Sequence, residues 1–333
     1  MNIIKKPLLA LVFIAVFTLL ACGQNKKNNS DMKNRPINQL YNNAKPLKYD
    51  SMPQYFIEAH QSGCFYEIWV NGILVFKHYQ NTGLMNHAFP INNFISESGL
   101  QEVTIKLFPL GEIDGKEYPT LTERTRFTLE IFKRDKATPW EGLDYDVVHY
   151  YFAPTTTGEE AGPFAHADTP MYEETFTFNA EVPYKLKGWS DSQVIEGQEG
   201  IEQEVLDFYE EYADVIQSQD EAKWVEMVKN RERDFLKAVY YNDKEEEGFK
   251  KRIAEYYNIF DNEYLEKRRL DKYNLVFSSN GKIVTLKSTE REGFSAFSFI
   301  LNKDRQGNRS KAISYRYIFL HKPKGSNKLE IIH

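Results

Sequence analysis

The chain has 333 residues, a formal net charge of −6 and 14% aromatic residues. This length exceeds one typical domain and suggests two. The chain is acidic and its charges are scattered, which argues against nucleic-acid binding, because such binding needs a concentrated basic face. With only two cysteines, Cys22 and Cys64, both a multi-bridge disulfide scaffold and a Cys₄ zinc site are excluded.

The first 22 residues have the pattern of an export signal. Lys5 and Lys6 precede an uncharged and mostly apolar run, Pro7 to Leu20. This run is shorter than the about 20 apolar residues that a membrane-spanning helix needs, but it suits a secretory signal. It ends in the sequence Leu-Leu-Ala-Cys at Cys22, which resembles the lipobox of bacterial lipoprotein signal peptides.

The lipobox resemblance implies a location. In that family the cysteine sulfur is acylated, with palmitate-type chains, and the signal (here residues 1–21) is removed. Because stable anchoring needs about two acyl chains, which such a cysteine carries, Cys22 is expected to hold the protein at a membrane of the bacterial cell envelope. The alternative is an ordinary signal peptide that leaves Cys22 as a thiol. Residues 22–50 are polar and without periodicity, which predicts a disordered tether.

Residues 51–185 are predicted to form an antiparallel β-sandwich, because short alternating runs are separated by turn signals. The predicted strands are Gln54 to Ala59, Cys64 to Val70, Ile73 to Tyr79, Leu100 to Phe108, Phe127 to Phe132, Val147 to Phe152 and Glu174 to Phe178. Asn71-Gly72 predicts a two-residue hairpin between the second and third of these runs, since both positions tolerate positive φ. Cys64 lies in an alternating apolar run and is expected to be a buried structural thiol.

One stretch of this region has a family resemblance. Val70-Asn71-Gly72, Pro90-Ile91-Asn92 and Ser98-Gly99-Leu100 lead into the alternating run Val103-Thr104-Ile105. This order of turn motifs and an alternating strand resembles that of Ig-like and galactose-binding-like β-sandwiches. The resemblance implies a fold class only.

Residues 186–333 are predicted to form an α+β domain, with three helices followed by an antiparallel sheet. Apolar residues recur at helical spacing in three segments: Ile201 to Ile216, Trp224 to Val239, and Phe249 to Tyr264. Arg231 interrupts the apolar face of the second segment. Ser218 or Asp220 begins the second helix and Asp243 caps the third. The expected strands are Tyr273 to Ser278, Lys282 to Ser288, Gly293 to Leu301, Ala312 to His321 and Leu329 to Ile332, with a two-residue hairpin at Asn280-Gly281 and a turn over Asn302 to Arg309.

This second region resembles the NTF2-like cone folds. The similar parts are Glu204 to Tyr209, Ser218-Gln219-Asp220, and the final Lys322 to Gly325 with Leu329 to Ile332. The resemblance implies a sheet curled around a pocket that either binds a ligand or is filled with side chains. It does not imply catalysis.

Two sets of residues are candidates for ligand binding. On the strand Cys64 to Val70, Phe65 and Trp69 share a face with Glu67, so this face is expected to meet solvent and to offer Trp69 to a sugar or a protein. Alternatively, Trp69 packs under a loop or against the second domain. His166 and Asp168, with Glu173 and Glu174 nearby, form the densest group of ligand-type side chains, either as a site or as solvated loop residues.

No catalytic residue, metal or cofactor is assigned, because the sequence has neither a nucleophile elbow nor a glycine-rich phosphate loop. We therefore expect a lipid-anchored envelope protein that binds a glycan or a protein partner without catalysis. An envelope hydrolase that uses a carboxylate and a histidine in the C-terminal domain is the alternative, with His149, His166, Asp168 and Asp220 as the residues to test. A lipoprotein that neutralises a toxin is a third possibility.

Overall fold

The structure is a computed structural model, and it describes residues 34–42, 49–80, 88–139, 144–242, 247–261, 264–291, 293–305 and 308–332. The predicted signal peptide, Cys22 and most of the predicted tether lie outside these ranges, as does Asp243. In the described part of that segment, residues 36–42 are helical and Ile37 and Tyr41 are buried in the core, so the prediction of disorder is wrong there. Residues Pro36–His333 form one compact unit. This unit is a mixed α/β structure with mostly antiparallel sheets.

The N-terminal half, residues 53–180, consists of β-strands. They are β1 (Pro53–Ser62), β2 (Phe65–Val70), β3 (Ile73–His78), β4 (Phe89–Pro90), β5 (Gly99–Phe108), β6 (Gly111–Ile113), β7 (Lys116–Tyr118), β8 (Arg126–Asp135), β9 (Asp146–Phe152) and β10 (Tyr172–Ala180). One four-stranded antiparallel sheet has the order β4-β1-β8-β9 and a second has the order β10-β5-β2-β3.

The two sheets share one hydrophobic core. Ile57 and Leu129 from the first sheet and Ile68 and Ile105 from the second are all buried in it. Alternation along each strand places these side chains on the inner face, as the period of two in the sequence requires. The predicted antiparallel β-structure of this half is therefore confirmed, and so is the burial of Cys64.

The C-terminal half, residues 201–332, contains helices and shorter sheets. After the short helix α1 (Gln39–Asn42), the helices are α2 (Ile201–Gln217), α3 (Glu221–Ala238) and α4 (Glu247–Asp261). The strands are β11 (Tyr264–Lys267), β12 (Tyr273–Ser278), β13 (Ile283–Ser288), β14 (Ser298–Arg305), β15 (Asn308–Tyr315), β16 (Leu320–His321) and β17 (Glu330–Ile331). They form antiparallel sheets of order β11-β14-β15 and β12-β13-β16-β17.

The three long helices were predicted from their apolar spacing, and this prediction is confirmed. Of the two candidates for the start of α3, Asp220 is the N-cap, because its Oδ1 accepts a hydrogen bond of 2.9 Å from the backbone N–H of Lys223. Ser218 instead ends α2. The third helix was predicted to extend to Tyr264, which is too long, since α4 ends at Asp261 and Tyr264 begins strand β11.

The two predicted Asn-Gly hairpins differ in outcome. Val70 pairs with Ile73, so Asn71-Gly72 is a two-residue turn with both φ angles positive, as predicted. Ser278 pairs with Ile283, so the second turn is a four-residue loop and not a two-residue one.

The strands of the last hairpin are also displaced from their prediction. Residues 302–305 and 308–309 were expected to belong to a turn, but they pair with each other and with their neighbours in β14 and β15, as far as Arg305 with Asn308. Residues 293–297 lie outside β14.

The two halves pack on each other through the β2–β3 hairpin. A Cβ atom at Gly72 would lie 2.6 Å from the backbone nitrogen of Ser279, so the two turns are in close contact. Below them, apolar side chains from both halves form a small shared core. Its members are Trp69, Ile73, Trp189, Ile283, Phe319 and Ile332. The segment that joins the halves is thus buried at Trp189.

Candidate functional site

The strand face that was expected to meet solvent is buried. Trp69 is 5% exposed and its ring lies edge-on to Phe319, with 6.3 Å between the ring centroids. Its indole N–H donates to Glu67 Oε2 at 2.9 Å, and Lys287 contacts the same carboxylate at 3.1 Å. Of the two alternatives for Trp69, exposure to solvent is wrong and packing against the C-terminal region is confirmed, because residues of that half cover this face. Phe65, at the end of the strand, is partly buried.

His166 and Asp168 are exposed, but they do not join a cluster of ligands. The His166 ring lies 4.7 Å from that of Tyr172, and the backbone N–H of Asp168 donates to Leu121. Glu173 forms an ion pair with Lys106. Among the residues that the structure describes, no group of three or more His, Cys, Asp or Glu side chains is arranged to hold a metal ion.

The other carboxylates and histidines that were singled out have structural partners. Glu174 accepts hydrogen bonds from the hydroxyl groups of Tyr151 and Tyr172. His149 stacks on Phe176 at 4.5 Å, and Asp220 caps helix α3. The Cys64 thiol is buried, which raises its pKa to about 12 and disfavours the reactive thiolate.

One cavity, of about 690 Å³, lies beside the N-terminal half and is lined by side chains of both charges. One of its carboxylates, that of Asp135, accepts hydrogen bonds from Ser51 and from the backbone of Met52 and Ala137. Asp135 therefore holds together the segment before β1 and the turn after β8.

A second cavity, here named the basic cleft, has a volume of about 570 Å³ and lies in the C-terminal half. Three parts of the chain line it: the segment 187–191, the second half of helix α3, and the C-terminal hairpin with strands β16 and β17. Its lining residues are Lys187, Gly188, Asp191, Asn230, Arg231, Arg233, Asp234, Lys237, His321, Pro323, Lys324, Glu330, Ile331 and Ile332. Helical geometry explains the contribution of α3, since residues 230, 234 and 237 follow one face of the helix.

The basic cleft carries an excess of positive charge in an acidic protein. Five lysine and arginine side chains line it, against three carboxylates. The lysines and arginines are Lys187, Arg231, Arg233, Lys237 and Lys324. Guanidinium and ammonium groups in this number attract carboxylate and phosphate groups. A volume of about 300–1,000 Å³ is also usual for a small-molecule site.

Asp234 is the unusual residue of the basic cleft. It is 7% exposed, and its Oδ2 accepts a hydrogen bond of 2.9 Å from the backbone N–H of Gly188. Its Oδ1 is buried and has no hydrogen-bond partner among the described residues. The nearest charge is Arg233, whose Nε lies 3.7 Å from this oxygen, which is too far for a hydrogen bond. A buried carboxylate oxygen without a donor is costly, so it calls for an explanation.

A closed group of charged side chains, the Glu232 cluster, lies beside the cleft. Glu232 is fully buried, and its carboxylate accepts hydrogen bonds from four side chains. These are Tyr41 (2.9 Å), Arg231 (2.9 Å), Arg252 (2.8 and 3.0 Å) and Tyr256 (2.6 Å). Burial alone would raise the pKa of Glu232, but the two arginines and these hydrogen bonds lower it to about 2. The cluster thereby fixes Arg231, which is shared with the cleft.

Ser192 and His321 form a buried pair at the edge of the basic cleft. Ser192 Oγ lies 2.7 Å from His321 Nδ1, and Glu330 stands opposite His321 on the neighbouring strand. Burial lowers the pKa of His321, against the opposing influence of Glu330 and Asp234. The imidazole is thus favoured in its neutral form, which acts as a proton acceptor.

A smaller cavity of about 260 Å³ adjoins the basic cleft and shares Gly188, Arg231, Asp234 and Ile332 with it. Leu186, Trp189, Phe235 and Tyr256 also line this cavity. The two cavities together combine cationic side chains with an apolar and aromatic wall, which is the usual make-up of a ligand site.

The cleft is not evident in the sequence because its residues come from three distant parts of the chain. One signal was present. Arg231 interrupts the apolar stripe of α3, and the run Arg231 to Asp234 places four charged residues in a row on a helix that is otherwise half buried. Charged residues of this kind on a buried face indicate an internal ion network or a site.

Within the described parts of the chain, no helix combines the length and the apolar character that crossing a membrane requires. Comparison with protein-family models, with curated proteins and with solved structures finds no match to this chain.

Proposed function

We propose that this protein is a lipid-anchored component of a bacterial cell envelope that binds an anionic ligand, without catalysis, in the basic cleft. The observation that carries the proposal is the set of lysine and arginine side chains around the buried carboxylate of Asp234. A glycan with acidic groups, or an acidic surface of a protein partner, has the charge that complements this site.

The anchor is supported by the sequence alone. The apolar run that ends in Leu-Leu-Ala-Cys at Cys22 has the form of a lipobox, and acyl chains on that sulfur would hold the folded body at the membrane. Replacing Cys22 by Ser tests this part. The parent chain is expected in the membrane fraction and Cys22→Ser in the soluble fraction, and equal sedimentation of the two would contradict the anchor.

The finer architecture belongs to the proposal as well. We propose an Ig-like or galactose-binding-like sandwich over residues 51–185 and an NTF2-like α+β domain over residues 186–333. Support for the first comes from two four-stranded antiparallel sheets around one core. Support for the second comes from three helices followed in sequence by antiparallel strands, with helices and strands sharing a core.

The binding role is tested by titrating the full chain, purified in detergent, with methyl phosphate at several salt concentrations. We expect binding that weakens as salt rises, and that weakens further in a Lys187→Ala/Lys324→Ala double variant. The matched control is Lys223→Ala/Lys229→Ala, which removes two charges from the exposed ion pairs of α3 outside the cleft. Equal loss in both double variants, or no binding by the parent, would contradict a binding role for the cleft.

One observation favours a second candidate, an envelope hydrolase. The Ser192–His321 pair joins a hydroxyl group to an imidazole, which is the combination that nucleophilic catalysis uses. Under this alternative, Ser192→Ala abolishes hydrolysis of a test ester such as p-nitrophenyl acetate and leaves phosphate binding unchanged. Hydrolysis at the same rate by the parent and by Ser192→Ala would dismiss it.

A further inference from the structure

From the geometry of the cleft we infer that its ligand is an anionic sugar, with one sugar hydroxyl donating a hydrogen bond to Asp234 Oδ1 and the anionic group held by the surrounding lysines and arginines. This inference rests on the proposed binding function and names the chemistry of the ligand. It is carried by a single atom. Asp234 is nine-tenths buried, lines both cavities, and keeps one carboxylate oxygen without a hydrogen-bond partner among the described residues.

The other oxygen of Asp234 explains why the side chain does not turn away. Oδ2 accepts the backbone N–H of Gly188 at 2.9 Å, and this bond fixes the plane of the carboxylate. Gly188 has a positive φ of 38°, in the left-handed region, so the segment that carries this N–H has a defined conformation. Oδ1 is therefore held in place as a hydrogen-bond acceptor, while Arg233 at 3.7 Å supplies charge but no hydrogen bond.

The donor that fits this acceptor is a neutral one. A ligand ammonium group would be drawn to Asp234 but repelled by the five lysine and arginine side chains that line the same cleft. A hydroxyl group donates a hydrogen bond without carrying charge. A hydroxyl beside a phosphate or carboxylate group satisfies both features of the cleft at once, and sugars that carry an acidic group have this arrangement.

The adjoining cavity supports a ring-shaped ligand. Trp189, Phe235 and Ile332 give it an apolar wall next to Asp234, on which the C–H groups of a sugar ring can pack. A simple inorganic anion would use the cationic side chains and leave both this wall and Oδ1 without a partner.

The test compares two ligands that carry the same anionic group. Glucose 1-phosphate has hydroxyl groups and a ring, whereas methyl phosphate has neither. We expect the full chain, purified in detergent, to bind glucose 1-phosphate at least about 10-fold more tightly in isothermal titration, since a hydrogen bond to a charged acceptor and a buried ring both favour it.

Asp234→Asn is the informative variant. The amide oxygen of asparagine can accept the Gly188 N–H as before, which leaves an N–H₂ donor where Oδ1 was. The hydroxyl of the sugar then meets a donor instead of an acceptor. The ratio of the affinities for glucose 1-phosphate and methyl phosphate should therefore fall toward one. Asp214→Asn is the matched control, because it removes the same charge from an exposed position on helix α2, outside the cleft, and should keep the preference.

The outcomes separate the inference from the proposed function. If both phosphates bind to the cleft but the parent shows no preference, or if Asp234→Asn keeps the preference, the sugar inference is overturned and the anion-binding function stands. If the parent binds neither phosphate, both are overturned. Loss of the preference in Asp234→Asn alone, with normal circular dichroism, supports the inference.

Discussion

Glu232 and Asp234 stand two residues apart on helix α3, and both carboxylates are buried, but the two regions around them differ. The Glu232 cluster surrounds its carboxylate with hydrogen bonds from four side chains. Within the described ranges, Asp234 of the basic cleft accepts one hydrogen bond, from the Gly188 amide. A buried carboxylate with all its partners contributes to the folded structure, whereas one that lacks a partner beside a cavity is available to a ligand.

The largest effect is expected from opening the Glu232 cluster. Glu232→Ala would leave the partly buried Arg231 and Arg252 without their common partner, and removing one member of a buried ion network costs about 3–5 kcal/mol. We expect a loss of this size in the free energy of unfolding, measured with urea. Glu226→Ala on the same helix is the control, since its exposed ion pair with Lys229 contributes about 1 kcal/mol or less. Equal losses in the two variants would contradict a structural role for the cluster.

Acid sensitivity gives a second test of the same region. The pKa of Glu232 is lowered from 4.5 to about 2 in the folded protein, so its carboxylate favours folding. This contribution is complete above pH 4.5 and is lost as pH falls toward 2.

Urea unfolding at a series of pH values should therefore show stability falling through this window, with a shallower slope in Glu232→Gln than in Glu226→Gln. If stability falls with pH equally steeply in Glu232→Gln and Glu226→Gln, the pKa of Glu232 is not lowered in the folded protein.

A much smaller effect on stability is expected at Asp234. Because asparagine can keep the hydrogen bond from Gly188, Asp234→Asn should change the free energy of unfolding by about 1 kcal/mol or less. Thermal and urea unfolding of the variant beside Glu232→Ala measure this difference. A loss at Asp234→Asn as large as that at Glu232→Ala would remove the contrast between the two regions and make Asp234 a structural residue.

The smallest effect on stability is expected at the rim of the basic cleft. Lys324 is exposed, so Lys324→Ala should change the free energy of unfolding by about 0.5 kcal/mol or less. Its loss should still weaken phosphate binding and make it less sensitive to salt, which titrations at several salt concentrations will show. A large loss of stability, or an unchanged dependence on salt, would count against a role of Lys324 in attracting anions.

Local patterns predicted most of the elements of this fold. The strands of the sandwich and the three long helices follow from alternation and from helical spacing, and Asn71-Gly72 follows from the preference of both residues for positive φ. Boundaries were less predictable. Nothing local to Tyr264 distinguishes the last turn of a helix from the first residue of a strand, because an aromatic side chain suits both.

The surroundings of single residues depend on contacts between distant parts of the chain. Trp69 was expected to meet solvent because Glu67 shares its strand face, but Lys287, more than 200 residues away in sequence, pairs with that carboxylate and the C-terminal half covers both. The basic cleft has the same origin, since residues near 188, 234 and 321 meet only in the folded chain. A sequence read without its contacts shows such residues as isolated charges.

The most direct test of the account is a crystal structure of the protein with glucose 1-phosphate bound. The predicted result is a phosphate group among the lysines and arginines of the basic cleft, with a sugar hydroxyl about 3 Å from Asp234 Oδ1. A phosphate bound in the cleft with the sugar turned away and water at Oδ1, or a ligand bound outside the cleft, would contradict it.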